Sequence, residues 1–172
     1  PKLTSSTVDF AALPQMPTVD DVFIALGTTL QTAGSQSAFR AVDFDAVVAL
    51  SIAARSSGAT HLGVVSAMGA KPGSPVFYNR VKGEMEQAVT ALGYPTLVIA
   101  RPSLLDGDRA VLKQPARPAE KLGLGVMKLI RLMVPANLRA VPVSDVARSL
   151  IQAVKTRAPG THILLSGELQ RH

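Results

Sequence analysis

The sequence predicts an α/β fold: a doubly wound, mostly parallel sheet with helices on both faces. Short apolar runs recur at residues 21–26, 61–66 and 96–100. Segments of helical periodicity separate them. Those spacings suit right-handed crossovers between parallel strands, which need a dozen or more residues. The 172 residues suffice for one domain with a real core. No repeat or low-complexity linker divides the chain, so residues 1–172 are read as one unit.

Each element has a local reason. Residues 7–10 read as a short strand before a loop holding Pro14 and Pro17. Residues 21–26 form a compact apolar run, stopped by Gly27-Thr28-Thr29, and read as a buried strand. Residues 36–57 place Phe39, Val42, Asp43, Ala46, Val47, Leu50, Ala53 and Ala54 at three- and four-residue steps, a helical stripe. Gly58 would close that helix in the left-handed conformation. Residues 61–66 are the next buried strand. Pro72 and Pro75 break the chain, and a helix over 76–92 follows, closed by Gly93. Residues 96–100 are a third apolar strand, ended by Arg101-Pro102-Ser103.

Further on, residues 106–118 read as a loop and 121–133 as an amphipathic helix with a stripe of Leu122, Val126, Leu129, Ile130 and Met133. Core packing explains that stripe first, and a substrate pocket or partner groove second. Residues 140–143 are extended. Ser144 can cap a helix over 145–156, and a last strand covers 161–165. The region 104–145 is read as a substrate-side loop and helix within the domain.

In parallel sheets of this kind, ligands sit outside the carboxyl ends of the strands. Gly27-Thr28, Ser66 and Arg101-Pro102-Ser103 all fall there. Tyr78 and Lys82 stand four residues apart, so they share one helix face. A cation beside a phenol favours the phenolate and draws its pKa down from about 10. A nearby Ser66 hydroxyl can bond a substrate carbonyl. The three would make a proton relay for hydride transfer at a carbonyl carbon. Each also has a plainer reading: a half-buried anchoring aromatic, a solvated helix lysine, and a strand-end turn former.

Composition limits the alternatives. Hydrophobic residues make up 47% and charged residues 17% of the chain, which fits a folded globular protein rather than a disordered one. There is no cysteine, which excludes disulfides. His61, His162 and His172 lack metal-ligand spacing, so no metal is expected. The net charge is +6, but lysines and arginines never adjoin. Tyr and Phe total seven, with no Trp to add stacking surface, so nucleic acid is an unfavoured partner. No stretch of about 18 apolar residues suggests a membrane span. With no signal peptide evident, the expected location is cytoplasmic.

Several motifs, in order, resemble the short-chain dehydrogenase/reductase superfamily. They are Leu26-Gly27-Thr28-Thr29, Phe39-Arg40-Ala41-Val42-Asp43, Val65-Ser66-Ala67-Met68-Gly69-Ala70, Phe77-Tyr78-Asn79-Arg80-Val81-Lys82-Gly83-Glu84, Arg101-Pro102-Ser103-Leu104-Leu105-Asp106-Gly107-Asp108-Arg109 and Pro142-Val143-Ser144-Asp145-Val146-Ala147. The nearest likeness is to atypical members, the branch of the Tat-interacting-protein-like oxidoreductase.

The resemblance implies a Rossmann-like NAD(P)-binding domain with Ser66, Tyr78 and Lys82 as catalytic residues. Leu26, Gly27, Thr28, Ser66, Tyr78, Lys82, Arg101, Pro102, Ser103 and Leu104 would then border the cofactor. Lys82 would also bind the nicotinamide ribose. Asp43 stands where extended relatives often carry asparagine, which puts a water relay there in doubt and suggests pairing with a nearby arginine. Residues 106–109 resemble a segment of the branch without an assigned chemical role.

The family also opens with a glycine-rich strand–turn–helix that this sequence does not show. The resemblance implies a start near the third strand, roughly 40 residues late on the scale of a βαβ unit. It leaves the strand at 21–26 expected at an open sheet edge.

The expected function is therefore an NAD(P)-dependent oxidoreductase acting on a small carbonyl or alcohol. The alternative is a dinucleotide-binding regulatory or scaffold protein with little turnover. The basic charge leans the cofactor to NADP over NAD. Relatives pair through helices that correspond to 36–57 and 76–92, so a homodimer is one expected state and a monomer the other.

Overall fold

The computed structural model describes residues 4–10, 12–106 and 140–170. Four parallel strands form the main sheet in the order β1 (Asp21–Ile24), β2 (His61–Val65), β3 (Thr96–Arg101) and β6 (Gly160–Leu165). Their registers run Asp21 to His61, His61 to Thr96 and Thr96 to Gly160. Two short strands, β4 (Leu104–Asp106) and β5 (Ala140–Pro142), pair in parallel as a second sheet. The α/β class and the parallel sheet match the sequence reading.

The first crossover contains α1 (Leu30–Ala33), α2 (Gln36–Arg40), a π-helical turn (Ala41–Ala46) and α3 (Val47–Ser56). The second is α4 (Phe77–Ala91). After β5 come α5 (Val143–Lys155), β6 and α6 (Ser166–Leu169). Gly58 and Gly93 follow their helices at φ 102° and 65°, the left-handed closures expected.

Strand alternation divides the core in two. Leu62, Val64, Leu97 and Ile99 face Val47 and Ala54 near and on α3, and Met85 and Val89 of α4. Val98 and Ala100 face Val146, Leu150 and Val154 of α5, with Leu169 of α6. An apolar cavity of about 350 Å³ opens on the α5 side, lined in part by Phe23, Ala25, Val65, Leu105, Val146 and Leu150.

Some local readings need correction. Residues 7–10 form no strand: Ala12 N–H bonds back to Asp9 in a turn, and the apolar Phe10 is exposed. Ser144 is not the cap of α5. The helix starts one residue earlier, after Pro142, whose extended backbone leads into it. α1, the π turn, the β4–β5 pair and α6 were not expected. Their segments are three to six residues long, too short for periodicity to distinguish. Of the predicted loop over 106–118, Asp106 instead closes β4; its other residues, Gly107, Asp108 and Arg109 among them, and the predicted helix over 121–133 lie outside the described residues.

Candidate functional site

The carboxyl ends of β1, β2 and β3 gather the site. Past β1, Leu26 packs partly into the core while Gly27 is exposed. Beneath Gly27 lies Asp43. A Cβ built on Gly27 would sit 3.4 Å from Asp43 Oδ1 and 3.9 Å from Lys82 Nζ. Asp43 is fully buried. Its Oδ2 accepts the Thr28 backbone N–H at 2.8 Å. Its Oδ1 meets Lys82 Nζ at 2.7 Å, and Lys82 is itself only 3% exposed. The Oδ1 contact is an ion pair without well-aligned hydrogen-bond geometry.

The expected arginine partner of Asp43 is thus replaced by lysine. Arg40 instead pairs with Glu84 and covers the Phe44 ring. The signal for a buried partner was present in the sequence: an acid in an inward apolar stripe needs a counter-charge. The sequence did not say which helix would supply it.

α4 brings Tyr78 and Lys82 to this place. Its docking depends on Gly83. A Cβ there would fall 2.2 Å from the Lys71 carbonyl carbon and 2.4 Å from Pro72 N, so only glycine allows so close an approach. Lys71 N–H also donates to the Asn79 carbonyl at 3.0 Å. The helix is thereby pressed onto the loop that follows Ser66.

Tyr78 is half-buried, its ring 5.5 Å from that of Phe39. Burial, and then the Asp43 carboxylate, push its phenol above the ordinary 10.0. The phenol was expected to fall under the influence of Lys82. It rises because burial disfavours the phenolate, and the Asp43 carboxylate adds to that. At neutral pH Tyr78 holds its proton.

Ser66 lies just beyond β2. Its N–H donates to Ala100 O at 2.8 Å, while its hydroxyl oxygen is buried without a hydrogen-bond partner among the described residues. A buried hydroxyl left unsatisfied costs about 1–3 kcal/mol, which a ligand's polar atom would relieve. The next loop is tied across the strand ends, with Met68 N–H donating to Pro102 O at 2.9 Å.

The β3 end is more restrained than the sequence suggested. The Arg101 guanidinium forms a fork on buried Glu86 of α4, with Nε to Oε1 at 2.9 Å. That clamp occupies a side chain expected to border the cofactor. Lys82 and Glu86, one helical turn apart, thus find partners elsewhere rather than each other. Pro102 is buried. Ser103 N–H donates to Ser166 Oγ at 2.7 Å. Leu104 begins β4.

No family model matches the chain. It is 39% identical over 93 residues to "Protein FMP52, mitochondrial" of Coccidioides immitis, covering 54% of this chain and 38% of that one. It is 38% identical over 109 residues to the Emericella nidulans protein of that name, covering 63% and 45%. The chain therefore spans less than half the length of these curated relatives.

Among solved structures, MoeE5 in complex with UDP-glucose and NAD superposes with a TM-score of 0.66 at 16% identity, over 91% of this chain and 60% of that one. The dTDP-4-dehydrorhamnose reductase of Bacillus anthracis in complex with NADP gives 0.56 at 18%, over 84% and 55%. The fold is Rossmann-like. It is shared with these solved structures, one holding NAD and the other NADP. These relatives correct the cytoplasmic expectation, since they are named as mitochondrial proteins. They also replace the Tat-interacting-protein likeness with the FMP52 proteins as the named relatives.

The residues at the strand ends are compatible with such a cofactor: a buried Ser66 hydroxyl without a partner among the described residues, a phenol holding its proton, and, at the end of β1, an exposed glycine over a buried ion pair.

Proposed function

We propose that this chain acts in an NAD(P)-dependent oxidoreductase of the atypical short-chain dehydrogenase/reductase type, reducing a small carbonyl compound. The observation that carries this reading is the unpartnered Ser66 hydroxyl at the end of β2, beside the loop on which α4 docks with Tyr78 and Lys82. When bound, the dinucleotide supplies hydride to the carbonyl carbon. Ser66 Oγ–H donates to the carbonyl oxygen, and Tyr78 Oη delivers the proton that completes the alcohol. Lys82 retains N–H donors beyond the one facing Asp43 and would hold a ribose hydroxyl. The exposed Gly27 and the Thr28 backbone would border the adenosine side, and Pro102 with its neighbours the nicotinamide. The protonated phenol favours reduction over alcohol oxidation. The basic net charge favours NADP.

Titration with NADPH and NADH, followed by hydride consumption across a carbonyl panel, tests the reading. Loss of turnover in Tyr78→Phe with unchanged cofactor affinity supports it. Full activity in Tyr78→Phe overturns the assignment.

A second reading is a dinucleotide-binding regulator. The Asp43–Lys82 pair favours it, because the ammonium is already satisfied within the fold. Tight binding without consumption would select it. The relatives' names support a mitochondrial location for this chain, and fractionation of cells tests that directly.

A further inference from the structure

We propose that Asp43 is a positioning residue of this site, whose carboxylate ties the Lys82 ammonium on α4 to the Thr28 amide on the loop after β1 and so fixes both walls of the dinucleotide cradle. The proposal rests on the reading of Tyr78 and Lys82 given above.

Three features of the geometry carry it. The pair is closed off, with Asp43 at 0% and Lys82 at 3% exposure, and each carboxylate oxygen serves a different element. Asp43 sits in the π-helical turn Ala41–Ala46, a widened turn often found at functional sites. Gly27, exposed on its outer side, lies directly over the pair, so a ligand on that loop would rest one residue's thickness from the charges.

Stability alone is a weak reason for such a pair. Burying two charges is expensive, and apolar replacements of similar volume are often no less stable. A carboxylate also does what asparagine in its place could not. It neutralises the lysine directly, while the other oxygen accepts the Thr28 backbone N–H.

The charged group that acts on the phenol is Asp43 from the π turn, and Lys82 of the phenol's own helix is turned to Asp43. Arg40 and Glu84 engage each other, and Arg80 donates to the Ser74 carbonyl and overlies Phe77.

The test uses Asp43→Asn in the full-length protein, with two readouts. The first is the Tyr78 titration, followed by tyrosine ring-carbon NMR and assigned by the resonance lost in Tyr78→Phe. The second is NADPH affinity by calorimetry. The expected results are a phenol that titrates at lower pH than in the parent and a loss of affinity of about tenfold or more. An unchanged titration with unchanged affinity would overturn the proposal, leaving the pair a packing feature. Should Asp43→Asn fail to fold, Thr28→Pro removes the amide donor while leaving the Asp43–Lys82 pair intact. It is expected to weaken NADPH binding while leaving the phenol titration in place, and unaltered binding there would equally overturn the idea. If the parent binds neither NADPH nor NADH, the oxidoreductase reading fails by itself, and the phenol titration still reports whether Asp43 governs Tyr78.

Discussion

On the face covered by α3 and α4, the apolar core of Leu62, Val64, Leu97 and Ile99 gives way at the strand ends to Asp43, Lys82, Glu86 and Ser66, all buried. On the face covered by α5, Val98, Ala100, Leu150 and Val154 pack with Leu169, and the adjoining cavity is lined by apolar side chains. Its buried polar groups include the hydroxyls of Ser149 and Ser166 and, at the amino end of the sheet, the His61 imidazole, whose Nδ1 lies 2.8 Å from the half-buried Asp21 carboxylate. The same sheet thus supports two kinds of interior. Burying a carboxylate or an ammonium is costly wherever it lies, and among the described residues Asp43, Glu86 and Lys82 place that cost on the α4 side. The α5 side shows what the sheet does without that cost.

The largest effect should come from breaking the docking of α4. Gly83→Val forces a branched side chain into the Lys71–Pro72 backbone and should cost about 3 kcal/mol or more. Denaturant unfolding measures the loss, and dinucleotide affinity should fall with it. A mild effect at Gly83 would mean that α4 is not held where the site needs it.

Next come the two interiors themselves. Leu97→Ala on the α4 side and Leu150→Ala on the α5 side each truncate a buried leucine, and each should cost about 2–5 kcal/mol. Only Leu97→Ala should also weaken the dinucleotide, because its neighbours Met85 and Val89 belong to the helix that carries Tyr78. Equal loss of affinity in both would erase the distinction between the faces.

Alkaline pH sharpens the comparison further. Tyr94 is buried on the α4 side, donates to Ser51 O at 2.6 Å, and is pushed up to about 12 by burial. A folded-state pKa above the unfolded value gives stability that is fully present below the unfolded pKa of about 10 and is lost as pH rises through the folded pKa. Unfolding free energy should therefore decline between about pH 10 and 12, and Tyr94→Phe should flatten that decline. Tyr78 is shifted in the same direction. Carbonyl reduction should accordingly hold its rate through neutral pH and fall only in alkali, as a pH–rate profile would show.

The smallest effect belongs to the open part of the α5 side. Phe23 is 42% exposed beside the cavity. Phe23→Ser should change stability by about 1 kcal/mol or less and leave the Tyr78 titration untouched. A large loss would show that this face holds more of the fold than its exposure suggests.

The sequence by itself determined the alternation of strand and helix, because apolar runs and helical stripes are local patterns that report burial directly. The ends of β1, β2 and β3 fell within two residues of their expected places. The shared face of Tyr78 and Lys82 followed from helical geometry alone. Ser66 could be placed at a strand end in the same way.

Only the tertiary structure decided what those groups do to one another. Lys82 found Asp43 rather than the phenol it was expected to activate, Arg101 found Glu86, and the Tyr78 pKa moved upward instead of down. The physical reason is that pairing in a low-dielectric interior depends on which helices meet and how closely. That closeness rests on contacts such as Gly83 against Lys71, between segments that no local pattern connects.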